Sequence, residues 1–152
     1  MFHISEVDKD DGALALLIGE LDAFQGALYP TQSQHCPDFS TLSEARLRCI
    51  VARDERGAAA GCGALLLKDG GEAELKRVYI RPAYRGRGLG EQIVGTIEGL
   101  ASASGCRRLR LETGIYQQPA IALYRRCGYR PCAAFPPYEA DPLSVFMVKA
   151  IG

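Results

Sequence analysis

The sequence predicts a mixed α/β (α+β) fold, with one mainly antiparallel sheet of about seven strands flanked by helices. Three observations lead there. Short alternating or β-branched segments recur along the chain, several of them joined by Asp/Gly turns, which is the pattern of an antiparallel meander. Three other segments carry apolar residues at helical spacing. No repeat, low-complexity tract or linker interrupts the chain, so residues 1–152 are expected to form one domain.

Taken in order, Phe2 to Val7 reads as a first strand. Asp10 or Asp11 then caps a helix whose inner face is Leu14, Leu17, Ile18 and Leu21. From Phe24 to Thr41 the periodicity dissolves into aromatic, polar and proline residues, a connection of a length often tied to function. Tyr29, Ser33 and His35 are its candidates for touching a substrate; the plain alternative is a surface connection. Arg46 to Arg53 alternates, with Leu47, Cys49 and Val51 on one side. Asp54 to Gly57 turns into a strand at Ala58 to Lys68, and Asp69-Gly70-Gly71 turns again into a central strand, Glu72 to Ile80. Pro82, with no N–H to donate, stops that ladder.

Leu89, Ile93, Ile97, Leu100 and Ala101 line a helix that Gly105 ends, and Arg108 to Glu112 is a short strand. Pro119 suits the first turn of another helix, with Ala120, Leu123, Tyr124 and Cys127 on one face and Gly128 as its stop. Tyr129 to Ala134 and Ser144 to Lys149 are the last strands, parted by Pro136-Pro137. The apolar final strand suits pairing across a homodimer interface and burial within the chain equally well.

Basic and acidic side chains number 18 each, so no net field recruits nucleic acid or an anionic membrane. The N-terminal MFHISEVDKDDG has no apolar signal core, and no apolar run approaches the roughly 20 residues of a spanning helix. Six cysteines (36, 49, 62, 106, 127 and 132) form no Cys-x-x-Cys pair, and several fall in apolar segments. They read as small core residues of a reducing, cytoplasmic setting, and no metal is expected.

The most informative stretch is Arg85-Gly86-Arg87-Gly88-Leu89-Gly90, a glycine turn between the central strand and a helix. Its unpaired N–H groups sit at the positive end of a helix dipole and suit an anion, phosphate above all. Neither common nucleotide template fits. Gly90 is followed by Glu91-Gln92 rather than Lys-Ser/Thr, and a Gly-x-Gly-x-x-Gly count from Gly86 ends on Glu91. What fits is Arg-x-x-Gly-x-Gly, at Arg85, Gly88 and Gly90, with Pro82 ahead of it.

That pattern resembles the acetyl-coenzyme A pyrophosphate loop of the GNAT N-acetyltransferase superfamily. A second run at the expected distance, Ala120-x-x-Leu123-Tyr124-x-x-x-Gly128-Tyr129, is similar to the fourth-helix signature of the same superfamily. Together the two cover about half the chain. Gly71 to Tyr79, Leu111 to Gly114 and the run from Asp141 to Phe146 also resemble a bacterial subgroup of small acetyltransferases.

The resemblance implies that the central strand and the strand after the helix splay apart to admit the pantetheine arm. Main-chain groups of Val78, Tyr79 and Ile80 would line that arm, and the Val78 N–H would face the thioester oxygen, where negative charge grows. The turn of Arg85, Gly86, Arg87, Gly88, Leu89 and Gly90 would take the pyrophosphate. Gln117 stands where the superfamily often has asparagine. Tyr124 matches the tyrosine that protonates the departing thiolate. Glu74 matches a base used by some members, and Glu112, at the end of the next strand, competes for that role.

The implied reaction is acetyl transfer from acetyl-coenzyme A to a primary amine of a small molecule or protein, in a ternary complex. A non-catalytic coenzyme A sensor is the alternative. Strand alternation puts Glu74, Lys76 and Val78 on one side unless a bulge intervenes, and a Glu74–Lys76 pair would make both structural.

Overall fold

The computed structural model describes residues 1–29 and 46–152, so Ser33 and His35 lie outside the described residues. The described elements follow the predicted order: β1 (His3–Val7), α1 (Gly12–Leu28), β2 (Leu47–Arg53), β3 (Ala59–Leu67), β4 (Glu72–Ile80), α2 (Leu89–Ala103), β5 (Arg108–Gly114), α3 (Gln118–Arg126), β6 (Arg130–Cys132) and β7 (Ser144–Ala150). Asp11 caps α1 by accepting the Leu14 N–H at 3.1 Å. The main departure is at the other end of α1, which continues to Leu28 instead of dissolving at Phe24.

The strands form one sheet in the order β1-β2-β3-β4-β5-β7-β6. Every neighbouring pair is antiparallel except β4 and β5. β7 therefore lies inside the sheet, hydrogen-bonded to β5 on one side and β6 on the other. Of the two readings open to the last strand, burial within the chain is the one observed, and among the described residues the sheet's edges are β1 and β6.

Two apolar layers hold the sheet. On one face, Ile93, Val94, Ile97 and Ala101 of α2 and Leu123 and Tyr124 of α3 pack on Leu65, Leu75, Leu109, Leu111 and Met147. On the other, Leu14, Leu17 and Leu21 of α1 cover Cys49, Val51, Cys62, Ala64 and Tyr79. Each fully buried leucine contributes roughly 1.5–3 kcal/mol of burial free energy. Beyond α1 the same face is covered by Phe135 and Tyr138, whose rings meet Phe146 of β7.

Two irregularities of β4 shape the site. Arg77 has a left-handed φ of 56°, and the β3–β4 register slips between Cys62 and Ala64, so Arg77 and Val78 together oppose Gly63. That is a β-bulge. It breaks the expected alternation: Glu74 and Lys76 stay on the α1 face, whereas Val78 turns with Ile80 toward α2. The second irregularity is at the parallel neighbour. β4 and β5 pair only at Glu72/Arg108, Ala73/Leu109 and Glu74/Arg110, and then part.

Candidate active site

The glycine turn is braced from several sides. Pro82–Tyr84 forms a short 3-10 turn after β4. Tyr84 donates its hydroxyl to Asp54 Oδ2 at 2.7 Å, which holds the Asp54 carboxyl below its usual range. Arg85 Nε donates to the Ile80 carbonyl at 3.0 Å, and the Arg87 guanidinium lies 5.8 Å from the centre of the Tyr84 ring. These two arginines shape the turn. Gly86 and Gly88 both have φ of 78°, a conformation costly for other residues, and Gly88 is the N-cap of α2. Gly90 serves a different purpose: a Cβ there would lie 2.9 Å from Leu123 Cδ2, so glycine lets the start of α2 close on α3 without displacing that side chain.

From this turn a cleft of about 450 Å³ runs between the end of β4 and α3. Val78, Tyr79, Ile80, Arg85, Gly86, Gly88, Leu89, Gly90, Gln117 and Tyr124 all line it. The Arg81 N–H donates to Ala60 of β3 at 2.9 Å, so in the alternating antiparallel ladder Ile80 and Val78 aim their main-chain groups at the open side, where β5 has parted. Tyr79 serves differently. Its ring packs under α1, and its hydroxyl donates to Glu20 at 3.1 Å. Positive-φ glycines, an open strand edge and a cavity of this size form a cradle that fits a phosphorylated, extended cofactor.

Tyr124 stands at the inner end, 7% exposed, with its ring edge-to-face on Tyr129 at 6.0 Å. It also lines a cavity of about 40 Å³ behind the cleft, with Glu74, Lys76, Glu112, Gln117 and Tyr138. The two carboxylates there live differently. Glu74 is buried: Lys68 Nζ lies 3.1 Å from its Oε1, Lys76 Nζ lies 3.1 Å from its Oε2, and the Tyr138 hydroxyl donates to Oε2. Glu112 is half-buried at the end of β5, and its Oε2 accepts from Ser144 Oγ at 2.7 Å. Gln117 stands at the N-cap position of α3 without a side-chain bond into the helix; its Oε1 accepts the Gly114 N–H at 3.1 Å, so it braces the β5–α3 turn as well as lining the cleft.

Tyr29 lines neither cavity. It is buried at the end of α1, where its oxygen accepts the Tyr116 N–H at 3.0 Å and its ring stacks on Tyr116 at 5.4 Å. The ring that reaches the cleft is Tyr116 itself, together with Phe24; both are about half exposed. Neither was singled out from the sequence: Phe24 opens the aperiodic Phe24 to Thr41 connection, and Tyr116 falls between the strand read at Arg108 to Glu112 and the helix at Pro119. Tyr138 was missed as well. The only signal for it was an aromatic next to Pro136-Pro137.

An open strand edge leading from a phosphate-type turn to a buried tyrosine hydroxyl is the arrangement of an acyltransferase that works on a coenzyme A thioester. Comparison with known proteins makes the class specific. The model of the acetyltransferase (GNAT) family matches residues 17–129. The chain is 44% identical over 140 residues to an IAA acetyltransferase of Azospirillum brasilense, covering 91% of both chains. A solved protein of Klebsiella pneumoniae, provisionally described as an acyl-CoA N-acyltransferase, is 43% identical with a TM-score of 0.91, covering 100% of this chain and 99% of that one. A Bacillus subtilis acetyltransferase solved in complex with CoA shares the fold at 17% identity, with a TM-score of 0.70 over 99% of each chain. The protein belongs to the acetyltransferase (GNAT) family, and it is an N-acetyltransferase dependent on acetyl-coenzyme A.

Among the described residues no helix is long and apolar enough to cross a membrane, and no group of three or more His, Cys, Asp or Glu is gathered as for a metal.

Proposed function

We propose that residues 1–152 act as one acetyltransferase domain that acetylates a primary amine of a small molecule or protein in the cytoplasm, by direct attack with both substrates in the cleft. The observation that carries this reading is the continuity from the glycine turn, along the open edge of β4, to Tyr124 and the small polar cavity behind it, which Glu112 lines. Acetyl-coenzyme A, when bound, supplies an electrophilic thioester carbonyl carbon.

The chain's own groups do the rest. The turn at Arg85 to Gly90 offers main-chain N–H groups to the pyrophosphate, and Val78 and Ile80 hold the extended arm as a neighbouring strand would. The Val78 N–H, turned to the open side by the bulge, stabilises the oxyanion as the N–C bond forms. Tyr124 gives its proton to the thiolate as the C–S bond breaks.

Glu112 is the base in this reading, and takes the proton that the ammonium must lose before its nitrogen can attack. It is half-buried where β5 borders the gap. Glu74 holds the fold beneath the gap instead, because both its oxygens already serve Lys68, Lys76 and Tyr138.

The acceptor enters on the side of Phe24 and Tyr116, whose exposed rings stand at the cleft. The cytoplasmic setting is supported by five free cysteines among the described residues, three of them buried. Free-thiol release from acetyl-coenzyme A, followed against pools of amines, tests the function directly. Release that depends on one amine pool supports it; binding of the thioester with no release in any pool would overturn it.

A further inference from the structure

Glu91 is an acidic residue in the first turn of α2, directly after the glycines. Its Oε1 accepts two bonds from Arg126, the last residue of α3: from Nε at 3.0 Å and from Nη2 at 2.8 Å. Its Oε2 lies 3.8 Å from where a Cβ on Gly88 would stand, so the carboxylate hangs over the N-cap of α2. The Arg126 bonds, and behind them its own backbone N–H, hold the carboxyl below its usual range. Both side chains line the cleft, and both are substantially exposed, 60% for Arg126 and 42% for Glu91.

The pair therefore puts a carboxylate of the protein at the position where a helix terminus favours an anion, with a guanidinium fixed on it. Two anions at one helix end repel each other, whereas a guanidinium binds phosphate oxygens at least as well as a carboxylate. An exposed ion pair of this kind contributes little net stability, so it is easily exchanged.

We propose that Arg126 is a ligand for the pyrophosphate of coenzyme A and that Glu91 is its placeholder: Arg126 passes from the Glu91 carboxylate to the phosphate oxygens when the diphosphate enters the turn, and Glu91 swings outward. This rests on reading Arg85 to Gly90 as the pyrophosphate site. The exchange weakens cofactor binding, because a protein anion must be displaced, and it speeds release of the spent cofactor.

Calorimetric titration tests this with wild type, Glu91→Gln and Arg126→Gln against three ligands: coenzyme A, dephospho-coenzyme A and pantetheine. Both substitutions fall on exposed side chains, and thermal melts confirm that the variants are folded. Glu91→Gln is expected to bind coenzyme A and dephospho-coenzyme A on the order of threefold to tenfold more tightly, because a like charge at the helix end is removed. Its affinity for pantetheine, which lacks phosphate, is expected to be unchanged. Arg126→Gln is expected to bind the two phosphate-bearing ligands several-fold more weakly. Unchanged or weaker coenzyme A binding by Glu91→Gln would overturn the proposal, as would an equal gain for pantetheine or a gain lost with dephospho-coenzyme A. Failure of the wild type to bind coenzyme A would overturn the reading of the turn itself, a different result from an unaltered Glu91→Gln.

Discussion

Lys76 Nζ lies 3.1 Å from Glu74 Oε2 with both side chains 3% exposed, and the Tyr138 hydroxyl bridges the same two groups. Two charges removed from water this completely are compensated only by each other and by their hydrogen bonds. Replacing Glu74 by Ala strands the Lys76 ammonium, while Lys68, 25% exposed at its side chain, can turn to solvent. Glu74→Ala is expected to destabilise the fold by roughly 3–5 kcal/mol, read as a lower urea midpoint at unchanged slope. A Glu74→Leu/Lys76→Met double variant is expected to recover most of that loss, because it leaves no buried charge unpaired. A Glu74→Ala variant as stable as the wild type would return Glu74 to the list of catalytic bases.

Tyr124 and Glu112 are separable by kinetics. Tyr124→Phe is expected to lower kcat by on the order of 10²-fold while leaving calorimetric coenzyme A affinity within about twofold, since the ring that packs on Tyr129 is kept. An equal loss of affinity and turnover would make the tyrosine a packing residue.

Glu112→Gln is expected to remove the acidic limb of the kcat/KM profile against pH, with a rate loss on the order of 10²-fold. The same limb persisting in Glu112→Gln but vanishing in Glu74→Gln would exchange the two roles.

Burial pushes the thiol of Cys49 up to about 11 and that of Cys62 up to about 12. A group whose folded pKa is raised binds more protons in the folded state than in the unfolded one once the pH exceeds its unfolded value. Its stabilising contribution is therefore intact below about pH 9 and is lost as the pH climbs toward 11 and 12. Stability measured by denaturant is expected to fall across that window, with a shallower fall in a Cys49→Val/Cys62→Ala variant. Both thiols are expected to resist a disulfide reagent at pH 8 in the native protein and to react on unfolding. Rapid native reaction at either position would contradict the packing of α1 on β2 and β3.

Much of this architecture is legible in the chain because it is written locally. Gly86 and Gly88 advertise left-handed backbone, Pro82 ends β4, and Ala120, Leu123, Tyr124 and Cys127 recur at a helical interval. The bulge is not, because its left-handed residue is Arg77, a side chain that carries no signal for positive φ. That one residue moves Val78 to the opposite face from Glu74, which strict alternation placed together. Long-range partners were also hidden. Tyr138 reaches Glu74 from 64 positions away, and nothing in either neighbourhood foretells the contact. Arg126 lies 35 positions from Glu91, and nothing local to either residue points to their pairing.

The brief pairing of β4 with β5 has a mechanical meaning. Three register positions join β1–β4 to the β5-β7-β6 half, fewer than join any other neighbouring strands except β6 and β7. A molecule that bonds to Val78 and Ile80 along the open edge acts as a strut between two half-sheets. Occupancy of the cleft is then felt by the whole body as stiffness, so thermal stability becomes a gauge of cofactor supply, rising with the logarithm of the ligand concentration above its Kd. The same strut is withdrawn each time the cofactor leaves, and the seam then rests on the three pairs that end at Glu74 and Arg110.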